Sequence, residues 1–355
     1  MRLRASGKGL VGVDITSATV KVIELIRAGG HYQVESYAVR PLREGAVVER
    51  RIRDMPAVVD ALKRAVDHAR PASRNAVVAV PASAAITKTL SLPASLDDLE
   101  IEARIQLDSD RHIPFPFNEV ALDFQRLGIN SRFGDQQDVL LVACRIQDVS
   151  QLTEAVMQAG LTPSAVDVET FAMERAFQEL RHQLAADSEE SEPDCVALVD
   201  IGATMNAFHV LREGRVIYSR DTVFGGRQLT DEIRNRYGLT LEEAGLAKKR
   251  GGLPDDYQRS VLDPFRDTLV QQVGRSLQLY YTSGRKQEVH RMILAGGTSV
   301  LPGLAERLAE ESGMEVVIAN PFRRMTVNSR IDVPTLAGDA PAMLTACGLA
   351  MRAGK

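Results

Sequence analysis

One pattern occurs twice in this 355-residue chain, about half a chain apart. An apolar strand ends in an aspartate, a short turn of small residues follows, and a second apolar strand begins, as LVGVDITSATVKVIEL (10–25) and VALVDIGATMNAFHV (196–210). A third strand and an amphipathic helix come next in both copies. The helical apolar positions are Val58, Leu62, Val66 and Ala69 in the first copy and Leu229, Ile233 and Tyr237 in the second. The repeat predicts a duplicated α/β domain with a cleft between its halves.

The two aspartates of the repeat, Asp14 and Asp200, end strands that are predicted to be buried. A buried carboxylate is costly unless something binds it. One carboxylate from each half would face the cleft, where a hydrated divalent cation is a natural partner. The small residues after each aspartate leave backbone N–H groups available to phosphate oxygens. Aspartate is also common at hairpin corners, but two copies in matching contexts favour a phosphate and metal site.

A third candidate element lies at residues 292–304, MILAGGTSVLPGL. A strand runs into Gly296, Gly297 and Thr298, and the pattern predicts a following helix with Pro302 in its first turn. Glycines let the backbone approach a flat ligand closely. A helix N-terminus favours bound anions. The glycine pair is informative because it follows the two aspartate turns in the chain.

In this order the three segments resemble the phosphate-1, phosphate-2 and adenosine motifs of the actin, Hsp70 and sugar kinase superfamily. The resemblance implies a duplicated actin-like (ribonuclease H-like) ATPase fold that binds ATP and Mg²⁺. Within the superfamily the chain resembles the PilM family, FtsA-like proteins of type IV pilus assembly, over nearly its whole length, from GLVGVDITSATVKVIEL to APAMLTACGLAMR. That family implies an ATP-binding scaffold of the inner-membrane assembly platform, which couples nucleotide state to pilus assembly and twitching motility.

The resemblance assigns cofactor-binding roles to individual residues. Asp14 and Asp200 would bind Mg²⁺ through water, and Lys21 would reach a phosphate from the second strand. The other phosphate-binding and nucleoside-binding positions are Thr16, Ser17, Ala18, Gly202, Ala203, Thr204, Asn206, Gly226, Gly296, Gly297 and Thr298. A cluster of hydroxyls, a lysine and backbone N–H groups is chemically suited to an anion.

Two further pairs of residues each have two interpretations. In the segment EEAGLAKKR, Glu243 and Lys248 correspond to residues that touch the nucleoside, although a solvated charged helix face would have the same pattern. In AVDVETFAMERAF, which connects the halves, Asp167 or Glu169 would orient the water that attacks ATP. The alternative is that these carboxylates cap the helix beginning near Thr170. Slow hydrolysis, or binding with little hydrolysis, is compatible with both interpretations.

The family also predicts the division of the chain into segments. Half 1 (subdomain 1A) would comprise 9–83 and 164–190, an FtsA-type 1C subdomain 84–163, half 2 (2A) 195–225 and 260–355, and subdomain 2B 226–259. The inserted segment is predicted to contain strand ITKTLSL, a helix opened by Ser95, strands EVALDFQRL and DVLLVACR, and a second helix. The polar, acidic stretch 182–194 is predicted to form a surface loop between the halves.

The resemblance names a peptide partner. PilM-like proteins hold the short cytoplasmic N-terminal peptide of PilN, an inner-membrane protein, in a groove beside the inserted subdomain. The segment RHIPFPF lies in that subdomain, and its prolines hold Phe115 and Phe117 in extended backbone. The two rings either border a peptide groove or fill the core of the subdomain. Other pilus platform proteins and assembly ATPases are further candidate partners.

Composition excludes several classes of function. The net charge of -4 has no polybasic signature, so nucleic acid is not an expected partner. The start MRLRASGKGL lacks the apolar core of a signal peptide, and no apolar run approaches a membrane span. We therefore expect a cytoplasmic protein that reaches the inner membrane through its partner. Cys144, Cys195 and Cys347 are predicted to be buried, reduced thiols.

Two other functions on the same fold stay open at this point. A small-molecule kinase would need a polar acceptor pocket, and no accompanying polar cluster is evident in the sequence. A self-associating, FtsA-like filament former would carry a linker and a membrane-targeting amphipathic helix at its end. The sequence stops at CGLAMRAGK, directly after the last predicted helix, so we do not expect that tail.

Overall fold

A computed structural model describes residues 9–185, 195–284 and 287–352. The strands are β1 Leu10–Ile15, β2 Thr19–Ala28, β3 His31–Pro41, β4 Val47–Val48, β5 Arg51–Ile52, β6 Asn75–Val80, β7 Ile86–Pro93, β8 Val120–Ile129, β9 Gln136–Arg145, β10 Thr162–Val168, β11 Cys195–Ile201, β12 Asn206–Arg212, β13 Arg215–Thr222, β14 Arg291–Ala295, β15 Glu315–Ile318 and β16 Thr326–Val327. Residues 186–194, most of the predicted acidic loop, lie outside the described ranges.

The α-helices are α1 Met55–Ala69, α2 Asp98–Leu107, α3 Ser109–His112, α4 Ile146–Gln158, α5 Glu169–Ala185, α6 Gly226–Tyr237, α7 Leu241–Arg250, α8 Asp263–Thr282, α9 Leu304–Ser312, α10 Val333–Asp339 and α11 Leu344–Ala350. Short 3-10 turns occur at Ala82–Ala84, Phe117–Glu119 and Ala340–Met343, and a π-helical turn at Gln258–Leu262 leads into α8. Among the residues that the structure describes, no helix is both long and apolar enough to cross a bilayer.

The two copies of the repeat form two sheets with the same plan. The first sheet has the order β10-β6-β1-β2-β3-β16, and the second has the order β13-β12-β11-β14-β15. In each, three consecutive strands form an antiparallel meander, and later strands add in parallel beside its first strand. The predicted duplication is therefore confirmed, and the fold is of the actin-like class.

The amphipathic helices after each meander cover the outer faces of the sheets. In α1 the side chain of Asp54 accepts a hydrogen bond from Ala57 N at 3.0 Å and caps the helix. The predicted stripe of α1 packs with α4 on the first sheet. On the second sheet, α6 and α8 form the core together, and the α8 side chains Phe265, Leu269, Val273, Leu277 and Tyr280 lie in it or pack against it. Burial of these periodic apolar faces supplies most of the driving force for the layers.

Helices α5 and α11 fill the space between the two sheets. Side chains of α5 pack on the second sheet, while Ala172 of the same helix packs with Leu349 of α11 against the first. A Cβ on Gly348 would lie 1.7 Å from the carbonyl oxygen of Ala172. Only glycine therefore permits this crossing, which brings the sheets close together.

The C-terminal part of the chain contacts the first sheet. Strand β16 pairs in parallel with β3 at Thr326–Gln33 and Val327–Val34, and α11 packs on β1 and β2. Helix α4, predicted within the inserted segment, likewise packs on the first sheet. The segment bounds stay predictions.

The inserted segment contains an antiparallel sheet of order β7-β9-β8, as its strand patterns predict. Its core is formed by α2 and the sheet. Asp97, rather than Ser95, caps α2, in a reciprocal pair with Glu100. Phe117 is exposed, and Phe115 is half-buried with the guanidinium of Arg145 4.3 Å from its ring centre. The two phenylalanines therefore do not fill this core.

Candidate functional site

The two aspartate turns meet across the interface between the halves. The hydroxyls of Ser17 and Thr204 lie 2.9 Å apart, although the residues are 187 positions apart in sequence. The first turn is closed by Thr16, whose N–H and hydroxyl both donate to the Thr19 carbonyl at 2.9 Å. The second is closed by the N–H of Gly202, which donates to the Met205 carbonyl at 2.9 Å. The turn residues predicted to bind phosphate are thus adjacent.

The repeat is not symmetric at its carboxylates. Asp14 faces Lys21 across the β1–β2 hairpin, and the lysine Nζ donates to Asp14 Oδ2 at 2.7 Å. The corresponding partner of Asp200 is Ala207, which has no charge. Lys21, predicted to reach a phosphate, is therefore paired with the first carboxylate. A cation is left as the chemically suitable partner for the second.

The electrostatics of the site reflect this asymmetry. Burial raises the pKa of Asp200, the charge of Asp14 raises it further, and Lys21 and Arg50 oppose the rise. Burial lowers the pKa of Lys21, but the charge and hydrogen bond of Asp14 outweigh burial, and the net shift is upward. The ammonium therefore stays charged at neutral pH, while the Asp200 carboxylate is costly to ionise without a bound cation.

The third element packs against the second turn. Gly296 has a φ of +84°, and a Cβ there would lie 2.4 Å from both Asp200 Oδ1 and the Ile201 carbonyl oxygen. The Thr298 hydroxyl donates to the Gly202 carbonyl at 2.9 Å. Helix α9 begins only at Leu304, so Pro302 precedes the helix and the predicted helix N-terminus does not directly follow the glycine pair. The close approach of Gly296 to the second turn does not depend on that helix.

The start of α6 joins the same cluster. Gly226 N donates to the Gly202 carbonyl at 3.0 Å, and Arg227 N donates to the Ala203 carbonyl at 2.7 Å. A Cβ on Gly226 would lie 2.3 Å from the Thr298 hydroxyl oxygen. The structure thus brings together the second turn, the first residues of α6 and the third element. Ala18 lies at the first turn, where its carbonyl accepts from Leu42 N at 2.8 Å, and Gly297 follows Gly296.

A buried polar atom in this cluster points to a missing partner. Asn206 is 2% exposed, and within the described ranges its Oδ1 has no hydrogen-bond partner. Unsatisfied buried polar atoms are rare in folded proteins. Three features fit a nucleotide with its metal: the Asn206 amide oxygen without a partner, the close backbone approach at Gly296, and the lack of a charged cross-strand partner for Asp200. Within the described residues no group of three or more His, Cys, Asp or Glu side chains is placed to hold a metal ion, and Mg²⁺ bound through water and phosphate needs fewer protein ligands.

The two nucleoside-contact candidates have different surroundings. Lys248 Nζ donates to the Gly226 carbonyl at 2.9 Å and to Thr230 Oγ1 at 2.8 Å, so it lies beside the α6 end of the cluster. Burial lowers its pKa to about 8. Glu243 is exposed and forms a capping box with Thr240 at the start of α7. The structure places Lys248 at the cluster and gives Glu243 a capping role.

The two candidates for orienting water are also separated. Asp167 is buried, accepts from Val168 N at 2.7 Å, and pairs with Arg175 and with Arg352 at 2.9 Å. Glu169, at the start of α5, accepts from the Arg50 guanidinium and from Ala82 N. Neither set of contacts caps α5. Asp167 is held in a structural ion pair, and Glu169 faces the interface between the halves.

We use the name cleft for the cavity around Glu169, between the halves. Burial raises the pKa of Glu169, Arg50 opposes the rise, and the charges of Asp14 and Asp200 add to it. The cleft has a volume of about 10 Å³, room for about one water molecule. A phosphate group can therefore enter this cavity only if its walls move apart. The cleft is lined by Arg50, Ala82, Glu169, Thr170, Met173, Asp200, Ala207, His209, Asp221 and Thr345.

Three ionisable residues of the cleft were missed in the sequence. His209 interrupts the apolar run within strand NAFHVLR, a signal that could have marked it, and its Nδ1 lies 2.8 Å from the Ser219 hydroxyl. Asp221 lies within the alternating strand β13 and gave no such signal. Arg50 lies in the two-residue turn between β4 and β5, strands too short for a periodic pattern.

A larger cavity, which we call the groove, lies between the first half and the inserted segment. Its volume is about 270 Å³. The β4–β5 hairpin, the 3-10 turn after β6 and helix α4 form its walls. The groove is lined by Glu49, Arg50, Arg51, Ile52, Pro81, Ser83, Ala84, Asp148, Gln151 and Leu152. The predicted Phe115–Phe117 border is not among the lining residues.

Comparisons with known proteins agree with this architecture. A chain in the structure described as the PilM-PilN type IV pilus biogenesis complex is 28% identical, with a TM-score of 0.77 over 97% of this chain and 98% of that chain. The ethanolamine utilization protein EutJ from Carboxydothermus hydrogenoformans shares the fold at 14% identity, with a TM-score of 0.55 over 98% of this chain and 91% of that chain.

A sequence relative covers less of the chain. The ethanolamine utilization protein EutJ of Escherichia coli (strain K12) is 26% identical over 137 residues, which is 38% of this chain and 46% of that protein. This chain thus spans less than half the length of that relative. The family model described as type IV pilus assembly protein PilM, in contrast, matches residues 12–354. The chain belongs to the PilM family of type IV pilus assembly proteins.

Proposed function

We propose that this chain is an ATP-binding, actin-like scaffold of the type IV pilus assembly platform, and that ATP·Mg²⁺ binds between its halves. The observation that carries the proposal is the meeting of the two aspartate turns, where Ser17 and Thr204 lie 2.9 Å apart beside Asp14 and Asp200. When bound, Mg²⁺ would neutralise the phosphates and the second carboxylate. Asp14 and Asp200 would hold its waters, and Lys21 would hold the first carboxylate in place.

The remaining cluster residues would position the nucleotide. The hydroxyls of Ser17 and Thr204 would turn from each other toward phosphate oxygens. The amide of Asn206 would gain a partner, and Gly296 would let the backbone lie against the nucleoside. Glu169 would orient a water in the cleft, but its bond to Arg50 opposes that role. We therefore expect slow hydrolysis at most.

We further propose that the groove holds the cytoplasmic N-terminal peptide of a PilN-type partner. A PilM-type chain of similar fold occurs in a complex with PilN, and the 270 Å³ groove has both apolar and charged walls. Binding there would keep the chain at the inner membrane through its partner and link it to pilus assembly and twitching motility.

Calorimetric titration tests both parts. ATP·Mg²⁺ and a synthetic peptide with the N-terminal sequence of the cognate PilN would each be added to the purified chain. We expect saturable one-to-one binding of each. Absence of ATP·Mg²⁺ binding would make the aspartate turns simple hairpin corners.

A cavity-filling variant locates the peptide. Ser83 is an exposed residue on the groove wall, and Ser83→Trp should weaken peptide binding at least ten-fold by occupying the groove. Ser131, an exposed residue of the inserted segment outside the groove, provides the matched control, Ser131→Trp. Equal peptide affinities of the two variants would reject the groove as the peptide site.

A further inference from the structure

One arginine is shared between the cleft and the groove. Arg50 lines both cavities. It occupies the turn between β4 and β5 together with Glu49, and both residues have left-handed backbone, with φ of 61° and 50°. Such hairpin turns favour Asn-Gly, because other residues adopt this conformation at a cost. The contacts of Arg50 must therefore hold the turn in its conformation.

A single carboxylate holds two walls of the groove. Glu169 Oε2 accepts from Arg50 Nη1 and, at 3.4 Å, from Ala82 N. Arg50 belongs to the hairpin wall, and Ala82 begins the 3-10 turn that carries Ser83 and Ala84 of the second wall. The carboxylate itself lies in the cleft. A change in the cleft that moves Glu169 or Arg50 thus acts directly on the shape of the groove.

The charges around Arg50 make it sensitive to ligands in the cleft. Its guanidinium interacts with the carboxylates of Glu169, Asp221 and Asp200. Its Nε is buried and, over the described ranges, has no hydrogen-bond partner. A metal ion at Asp200 would cancel one of the attracting charges, and a phosphate oxygen would offer a new acceptor. The phosphate oxygen would compete with Glu169 for the guanidinium, whereas the metal ion would remove the charge that attracts Arg50 toward Asp200.

We propose that Arg50 and Glu169 are the positioning residues that couple the nucleotide site to the peptide groove. The inference rests on the proposed function. Nucleotide binding redistributes the contacts of Arg50, the strained turn relaxes, and the hairpin wall of the groove shifts. Because coupling is reciprocal, peptide in the groove changes nucleotide affinity by the same factor.

The coupling is measured by titrating the peptide with and without saturating AMP-PNP·Mg²⁺, which avoids hydrolysis. In the wild-type chain we expect the peptide Kd to change at least five-fold between the two conditions. In Arg50→Gln the ratio of the two peptide Kd values should fall below two-fold, whatever the change in the affinity for each ligand alone. Arg50→Lys, which keeps the charge, should restore part of the coupling. The control is Arg53→Gln, an exposed arginine that lines neither cavity.

A second variant guards against a folding defect in Arg50→Gln. Glu169→Gln keeps the side-chain volume but removes the charge that holds Arg50, and it should reduce the coupling in the same way. Undiminished coupling in a folded Arg50→Gln or Glu169→Gln chain would overturn the roles of these residues. Wild-type binding of both ligands without coupling would overturn the inference and leave the proposed function intact. If the wild-type chain binds neither the peptide nor the nucleotide, the inference and the proposed function are both rejected.

Discussion

The hydroxyls of Ser17 and Thr204 are in contact at 2.9 Å and join the two halves of the chain at the turns that follow Asp14 and Asp200. The contact links copies of a repeat that are far apart in sequence, and it lies where each copy ends its first buried strand. The same two hydroxyls are the groups that we expect to bind phosphate. Binding must therefore replace an interaction between the halves with interactions to the ligand.

This contact should appear as a coupling energy. Ser17→Ala and Thr204→Val should each lower the unfolding free energy by about 1 kcal/mol, because each removes one partly buried hydrogen bond. The double variant should lose about the same amount as either single variant. Urea unfolding without nucleotide gives the values, with Thr89→Val on an exposed position of β7 as the control. Strictly additive losses would show that the two hydroxyls do not interact in solution.

The ionised carboxylate of Asp200 should lower the free energy of unfolding of the chain without ligand. Its pKa in the folded state is raised above the ordinary value of 3.8, mainly by burial. Above pH 3.8 the folded chain therefore binds more protons at this group than the unfolded chain does. Stability therefore falls as pH rises through the folded pKa, and the full cost is present at higher pH. Asp200→Asn should raise the urea midpoint at pH 7 without ligand, and the gain should shrink at acid pH.

Asp135, an exposed residue of the inserted segment, provides the matched control for that substitution. Asp135→Asn should leave the midpoint nearly unchanged at both pH values, since surface substitutions have small effects. A lower midpoint for Asp200→Asn than for the wild type at pH 7 would contradict the assignment of Asp200 as a costly carboxylate.

Gly296 should be intolerant of a side chain for two separable reasons. Gly296→Ala places a Cβ at positive φ and 2.4 Å from Asp200 Oδ1. Gly313→Ala at the end of α9 shares the positive φ, +69°, but its Cβ would meet no atom within 4 Å. We expect a loss of about 1 kcal/mol for Gly313→Ala from backbone conformation, and about 1–3 kcal/mol more for Gly296→Ala from crowding. Thermal unfolding compares them, and equal losses would mean that the close approach is relaxed in solution.

His209 should make the chain sensitive to acid. Burial, together with the charge of Arg50, lowers its pKa from 6.5 to about 4. Between these values the unfolded chain binds a proton that the folded chain does not, so stability falls as pH drops from 6.5 to 4. The loss reaches about 3 kcal/mol. His209→Gln should remove this part of the pH dependence, whereas His31→Gln, at an exposed position, should retain it. Parallel pH profiles for the wild type and His209→Gln would contradict the buried, neutral histidine.

Local patterns predicted the elements well. The period-two and helical patterns identified the meanders, α1 and α6, because each of these segments buries one continuous face. The start of α2 was misplaced by two residues, since both Ser95 and Asp97 are suitable caps and only the backbone decides between them. The start of α9 was misplaced because Pro302 is equally compatible with the turn before a helix and with its first turn.

Long-range contacts were beyond the sequence patterns. The hairpin register places Lys21 opposite Asp14, a pairing that the sequence did not indicate because register depends on how the turn closes. The contact of β16 and α11 with the first sheet joins distant parts of the chain. Arg50 enters the cleft from a turn whose left-handed backbone no residue there favours. Each of these features depends on tertiary packing rather than on local propensity.

The most direct test of the account compares ATP·Mg²⁺ binding by the wild-type chain and by Asp200→Asn in calorimetric titrations. The substitution preserves side-chain volume and removes the charge that we assign to hydrated Mg²⁺. We predict saturable binding by the wild type, and at least ten-fold weaker binding by the variant although it is at least as stable. Equal affinity of the two chains, or no binding by the wild type, would contradict a nucleotide and metal site between the two aspartate turns.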